Sequence, residues 1–201
     1  GTLSLGVIPT AMPFAAQVSA KLREKHPNLS IEIYSESTRA IARRLNDFSL
    51  DAGILYFKDG DPETTEKLYE ERYVFITPNS LTILKEKQIT WEEVAQFPLC
   101  LLTQNMRNRQ LIDQQFLELG ISPKIVTEAS DFTGVLAQVA LGNAATIAPV
   151  SVAETFLDLK STVHLDLTHP VMIHSVGLSI KDQSPVLPII KALRQAVKAA
   201  L

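Results

Sequence analysis

Apolar and polar positions alternate with two periods over the first part of the chain, and each switch of period marks an element. Leu3, Leu5 and Val7 recur every second residue, the pattern of a strand with one buried face. From Ala11 to Lys25 the apolar Phe14, Ala15, Val18 and Leu22 fall at helical spacing. Pro13 fits the first turn of that helix, where no backbone donor is needed, and Pro27 ends it. Leu29, Ile31 and Ile33 return to period two. Ser37 is placed to cap a helix whose expected buried stripe is Ile41, Leu45 and Phe48. Asp51–Tyr56 is a more continuously apolar strand. The order β-α-β-α-β predicts a parallel sheet with helices on its faces.

Residues 57–67 are charged and turn-rich, which predicts a loop. A strand is expected over Leu68–Thr77. Thr90-Trp-Glu-Glu93 reads as a capping box opening a short helix to Phe97, followed by strand Leu99–Leu102. After the segment Thr103–Arg109 comes a helix with Leu111, Ile112, Phe116 and Leu119 that stops at Gly120. Ile125–Glu128 and Ala144–Ala148 are expected strands around a helix over Asp131–Leu141, closed by Gly142. Ser151-Val-Ala-Glu154 reads as a second capping box. Val163–Leu167 and Met172–Ile180 are expected strands. Ser184-Pro185 is expected to cap a last helix with the stripe Leu187, Ile190, Leu193 and Val197. The pattern repeats, so two small α/β lobes are expected, with crossovers near Thr77 and Val176 and the last helix returning to the first lobe.

Composition narrows the class. The chain has 201 residues, 46% hydrophobic and 20% charged, with a net charge of −3. That is an ordinary globular balance, and no long Lys/Arg run appears, so a nucleic-acid grip by this chain itself is not expected. Cys100 is the one cysteine, which rules out a disulfide within the chain. No apolar stretch approaches the length of a membrane span, and residues 1–9 read as a strand, unlike a signal peptide.

No catalytic constellation is visible. His26, His164, His169 and His174 show no metal-ligand spacing, and no phosphate-binding loop, dinucleotide fingerprint or nucleophile elbow occurs. Cys100 sits in an apolar strand with no adjacent base and reads as an inert buried thiol. What stands out instead are strand-to-helix junctions made of small or hydroxyl-bearing residues: Pro9-Thr10-Ala11, Glu36-Ser37-Thr38 and Thr103-Gln104-Asn105. In an open parallel sheet such junctions share one edge, where ligands bind. Free N–H groups at helix starts favour an anion there, and Arg107 and Arg109 are candidates to pair a carboxylate. Capping alone explains any single Ser or Thr equally well.

Four stretches in order resemble one family. Gly1-Thr-Leu-Ser-Leu-Gly6 is similar to the G-x-L-x-I-G opening of LysR-type effector domains, and His26–Ile33 to their P-x-V-x-L-x-L. Leu45–Ile54 resembles L-x-x-G-x-L-D-x-A-I, and Val139–Pro149 resembles V-x-x-G-x-G-I-A-L-V-P. Phe48 and Ala144 stand where the family usually has glycine. The resemblance covers essentially the whole chain.

The resemblance implies a periplasmic-binding-protein-like fold of type 2. This would have two Rossmann-like subdomains, residues 1–76 plus 177–201 and residues 77–176, with a ligand cleft between them. It implies an effector shell of Thr10, Ala11, Ser37, Thr38, Thr103, Gln104, Asn105, Met106, Arg107, Phe132, Thr133 and Pro149. Apart from the resemblance, the missing constellations lead us to expect no catalytic residue, metal or cofactor, and the helix starts with Arg107 and Arg109 lead us to expect a small effector with a carboxylate or other anionic group. A homodimer is implied, with a tetramer for the full-length regulator, in the cytoplasm and without a membrane partner. DNA contact would belong to an N-terminal winged helix-turn-helix that this chain lacks. The competing expectations are a transporter's solute-binding protein and, less favoured, an enzyme on the same fold.

Overall fold

A computed structural model describes residues 1–62, 65–81, 86–156, 161–181 and 184–201. The chain divides into two compact units, Gly1–Glu70 with His174–Leu201, and Glu71–Ile173. The expected crossovers, after residues 76 and 176, lie a few residues further along the strands that pass from one unit to the other.

In the first unit, β1 (Thr2–Val7) is flanked in parallel by β2 (Ser30–Ser35) and β3 (Ala52–Phe57). The late strand β10 (Ile173–Ile180) joins β3 antiparallel, and β4 (Thr65–Pro78) lies next to β10 in the sheet order. The period-two residues Leu3, Leu5 and Val7 are fully buried. On the other face, Gly6 pairs in register with Gly53, and both lie under Ile41 of α2 (Thr38–Asn46). Helix α1 (Met12–Lys25) buries Ala15, Val18 and Leu22 and packs against α7 (Pro188–Ala200), which buries Ile190, Leu193 and Val197. Each of these Val, Leu and Ile side chains contributes about 1.5–3 kcal/mol on burial.

In the second unit, β4 pairs antiparallel with β8 (Thr146–Pro149) and β9 (Thr162–Thr168), and β9 pairs in parallel with β5 (Gln88–Thr90). Strands β6 (Leu99–Leu102) and β7 (Ile125–Ala129) run parallel, and a bridge from Leu99 to Ala145 leads toward β8. Alternation sorts the core into two clusters. Tyr73, Phe75, Leu99, Leu101 and Ile147 pack with Trp91 of α3 (Trp91–Val94) and with Ile112 and Phe116 of α4 (Arg107–Glu118). Val74, Ile76, Cys100, Leu102 and Ala148 pack with α5 (Phe132–Ala140) and α6 (Val150–Phe156). The Thr90–Glu93 capping box forms in both directions.

Several expectations need correction. Phe48 lies outside α2, is 59% exposed and takes φ 59°, the left-handed turn that glycine adopts without cost. Ser151 stands inside α6, which begins at Val150, so the second capping box does not form; its carbonyl instead accepts from the Thr155 hydroxyl. The N-cap of α7 is Leu187, not Ser184, and Leu187 is 43% exposed. Helix α4 starts at Arg107, so Arg107 and Arg109 are helical. The three-residue strand β5 is too short to show as a pattern. The loop expected over 57–67 is trimmed by β3 and β4, and its residues 63 and 64 lie outside the described residues.

Candidate functional site

The parallel strands of the first unit end side by side, with Val7 in register with Ser35 on one flank and Ile54 on the other. Thr10 and Ala11 follow β1 in one turn of 3-10 helix, Pro9–Ala11, and both are buried. The Thr10 hydroxyl shares a 3.2 Å hydrogen bond with the Tyr56 hydroxyl at the end of β3. Ala11 is the N-cap of α1 and has no side chain with which to cap it. Ser37 caps α2 by accepting from the Ala40 N–H at 3.2 Å. Thr38 opens α2, and its buried hydroxyl has no partner among the described residues. Glu36 accepts from Arg44 Nη1 at 2.6 Å, and that bond is the main cause holding the guanidinium above its ordinary pKa. Neither α1 nor α2 carries an acid in its first turn. The exposed Arg39, second residue of α2, was not singled out from the sequence. A cation in a first turn opposes the helix dipole, and that opposition was the available signal.

In the second unit, Thr103 follows β6, and its N–H donates to the Ala129 carbonyl at the end of β7. The Thr103 hydroxyl donates to Asn105 Oδ1 at 2.7 Å, and the Gln104 carbonyl accepts from Gln110 Nε2 at 3.1 Å. Met106 is the N-cap of α4 and makes no side-chain cap; its side chain is buried in the apolar cluster with Phe132. These two residues therefore form the floor under the junction. The α4 start has no acid in its first turn, and Arg107, its first residue, is exposed with no described partner. Arg109 is committed within the unit: it is 3% exposed and donates to the Leu102 carbonyl and to Asp113.

Thr133 is exposed in the first turn of α5, whose cap is Asp131 accepting from the Gly134 N–H at 3.0 Å. Pro149 ends β8, buried, in register with Tyr73. Asn108 Nδ2 donates to the Tyr73 hydroxyl at 3.2 Å, which ties the first turn of α4 to the strand beside Pro149. Tyr73, Asn108 and the buried Glu71 were missed from the sequence. Only their burial sets them apart, and Glu71 and Asn108, inside the polar stretches Glu70-Glu71-Arg72 and Arg107-Asn108-Arg109-Gln110, do not announce it in the sequence.

Among the described residues no group of three or more His, Cys, Asp or Glu is placed to hold a metal ion. Cys100 is fully buried, and desolvation pushes its thiol pKa up, away from the reactive thiolate. Among the described residues no helix is long and apolar enough to cross a membrane.

The family model of the LysR substrate binding domain matches residues 1–201. The chain belongs to that family. LysR substrate-binding domains are the ligand-binding regulatory domains of LysR-type regulators. A relative from Trieres chinensis, a probable RuBisCO transcriptional regulator, is 25% identical over 80% of this chain and 55% of its own length. The chain spans about half the length of the curated relatives it matches. The Synechocystis PCC6803 CcmR regulatory domain in complex with 2-PG superposes with a TM-score of 0.85 at 13% identity, covering 99% of this chain and 96% of that one. The effector-binding domain of QuiR in complex with shikimate gives 0.77 at 20% identity, covering 98% and 95%. These neighbours establish the periplasmic-binding-protein-like fold of type 2. Within this LysR domain the two glycine replacements differ in consequence: Phe48 adopts positive φ, whereas Ala144 does not and is simply buried.

Proposed function

We propose that this LysR domain senses a small organic anion, with the start of α4 as its principal anchor. The observation that carries the proposal is the first turn of a twelve-residue helix without a side-chain cap, with Arg107 at its first position, exposed and without a partner among the described residues. Free N–H groups and the positive end of the dipole attract an anion, and a guanidinium adds a two-pronged donor. Thr103, Gln104, Asn105 and Thr133 supply polar contacts, Met106, Phe132 and Pro149 supply apolar ones, and Thr10, Ala11, Ser37 and Thr38 complete the proposed shell. Shikimate, the ligand of the QuiR neighbour, is a carboxylate and fits this preference.

Binding works by shifting a conformational equilibrium, and an effector moves it only by its differential affinity for the two states, about 1–3 kcal/mol. In the whole regulator that shift reaches a DNA-binding domain within a cytoplasmic homodimer or tetramer. The relatives are named as transcriptional regulators, which favours sensing over solute transport or catalysis. A thermal-shift screen against carboxylate and phosphate metabolites, shikimate included, tests the proposal. A ligand at a hundredfold excess over its Kd adds about 2.7 kcal/mol. The expected hit stabilises the domain, is not consumed, and loses its effect in Arg107→Ala; steady turnover or an undiminished effect in that variant refutes the proposal.

A further inference from the structure

Strand β4 enters the second unit at Glu71, and the strand register fixes where that residue stands. Tyr73 pairs with Pro149, the last residue of β8, and the two strands run antiparallel. Glu71 comes two residues earlier in β4, so it lies past the carboxyl end of β8. The parallel bridge from Leu99 to Ala145 sets β6 in the same direction as β8. The carboxyl end of β6, Thr103 and the start of α4 therefore share that edge of the sheet. Residues two apart in a strand project on one face, so Glu71 stands on the same face as Tyr73.

A short relay of buried polar groups joins Glu71 to α4. Asn108 Nδ2, on the second residue of the helix, donates to the Tyr73 hydroxyl at 3.2 Å. That hydroxyl has a single proton, which it directs to Glu71 Oε1 at 3.5 Å. Asn108 and Glu71 are 3% and 4% exposed, and Tyr73 is fully buried with its ring in the cluster of Phe75, Trp91 and Phe116. A pin between β4 and α4 explains Asn108 and Tyr73. It does not explain a carboxylate, because a neutral side chain of the same shape accepts the same hydrogen bond without the cost of taking a charge out of water. The carboxylate is two hydrogen bonds away from the first turn of α4, the proposed anion anchor. In that place it repels an anion that brings no donor of its own.

We propose that Glu71 is a specificity-determining residue of the proposed effector site, which selects anions that also carry an alcohol or ammonium donor. The proposal rests on the reading of the α4 start as the anion anchor. The anionic group meets Arg107 and the first-turn N–H groups of α4. The donor, a few bonds away on the same molecule, hydrogen-bonds to the Glu71 carboxylate. A carboxylate offers about four acceptor sites on its two oxygens, so it takes a ligand donor in addition to the Tyr73 hydroxyl. Tyr73 and Asn108 are positioning residues, which hold the carboxylate and act through it. An apolar acid satisfies the anchor but faces the carboxylate with nothing to offer, and a buried polar group discriminates strongly against a ligand that lacks its partner.

The test is calorimetric titration of the 201-residue chain with three acids built on one ring. Cyclohexanecarboxylate carries no donor, quinate carries hydroxyls, and 4-aminocyclohexanecarboxylate carries an ammonium. At least one donor-bearing acid is expected to bind about tenfold more tightly than the parent acid, and whichever does so names the donor. Glu71→Gln is expected to remove that preference while the parent acid binds as tightly as before or more tightly, because the repelling charge is gone. Tyr73→Phe is expected to narrow the preference, with circular dichroism confirming that the fold is retained. Arg107→Ala is expected to weaken all three acids by a common factor and to preserve their ratio. A parent acid that binds as tightly as both donor-bearing acids, or an equal loss for all three in Glu71→Gln, overturns the proposal and leaves the anion anchor standing. Should Glu71→Gln fail to fold, an unchanged ratio in Tyr73→Phe overturns it. No saturable binding by any of the three, or undiminished binding in Arg107→Ala, overturns the anchor itself and this proposal with it.

Discussion

Arg109 Nη1 donates to the carbonyl oxygen of Leu102 at 2.9 Å, joining the buried face of α4 to the last residue of β6. The same guanidinium meets Asp113 at 2.8 Å and Glu128 at 3.4 Å. Arg109 therefore fixes the junction, whereas Arg107, two residues earlier, is exposed and has no partner among the described residues. The two arginines are expected to separate in experiment. Arg109→Ala leaves a carbonyl without its charged donor, and about 1.5–3 kcal/mol of stability is lost. Arg107→Ala changes stability by no more than about 0.5 kcal/mol. Urea unfolding of both variants checks this, and a reversed order of costs would contradict it.

Gly6 and Gly53 set how closely α2 approaches the sheet. A Cβ on Gly53 would lie 2.6 Å from Ile41 Cγ2, and one on Gly6 would lie 2.5 Å from Leu50 Cδ1. Both neighbours are packed core side chains with little room to yield. Gly53→Ala is expected to destabilise the first unit by about 1–3 kcal/mol through overpacking. Gly60→Ala is a poor comparison because of its positive φ, so the useful control is a substitution at exposed Gln195. Thermal unfolding that leaves Gly53→Ala as stable as the parent would show that α2 shifts freely.

These packing details explain what the sequence disclosed. Leu3, Leu5 and Val7, the α1 stripe and the Thr90 capping box were legible because each is a local pattern with a fixed period or offset. Phe48 misled because helical spacing places it on the Ile41–Leu45 stripe, while the backbone leaves the helix at Asp47 and turns left-handed. Thr103 and Arg107 were visible as a hydroxyl and a cation at a strand-to-helix junction. Met106 looked like part of the same polar segment, yet it is 8% exposed and belongs to the floor. The contact from Asn108 to Tyr73 spans residues 35 apart in sequence, and no local period encodes it.

Cys100 offers a direct probe of global opening. The thiol sits at 0% exposure in the cluster behind β6, and desolvation raises its pKa. Both effects suppress thiolate chemistry in the folded state. Its reaction with a thiol reagent is expected to be slow in the native chain and fast in denaturant. The native rate should scale with the opening equilibrium and rise in Arg109→Ala. Rapid native labelling, independent of denaturant, would mean that the cluster opens locally.

His164 gives the fold a pH dependence whose sign follows from its surroundings. It lies on β9 in register with Ile76, and burial lowers its pKa below the ordinary value of 6.5, with the charge of Glu154 on α6 opposing that shift. The Thr162 hydroxyl lies 3.5 Å from its Nε2. A lowered folded-state pKa means that the unfolded chain takes up a proton at His164 before the folded chain does. Its contribution is therefore fully present above the unfolded-state pKa and is lost as pH falls from there toward the folded-state value. Urea midpoints are expected to fall between neutral and mildly acidic pH, and His164→Gln is expected to flatten part of that fall. Glu154→Gln removes the opposing charge, so the drop should become steeper. A flatter profile in Glu154→Gln would show that the carboxylate does not act on this imidazole.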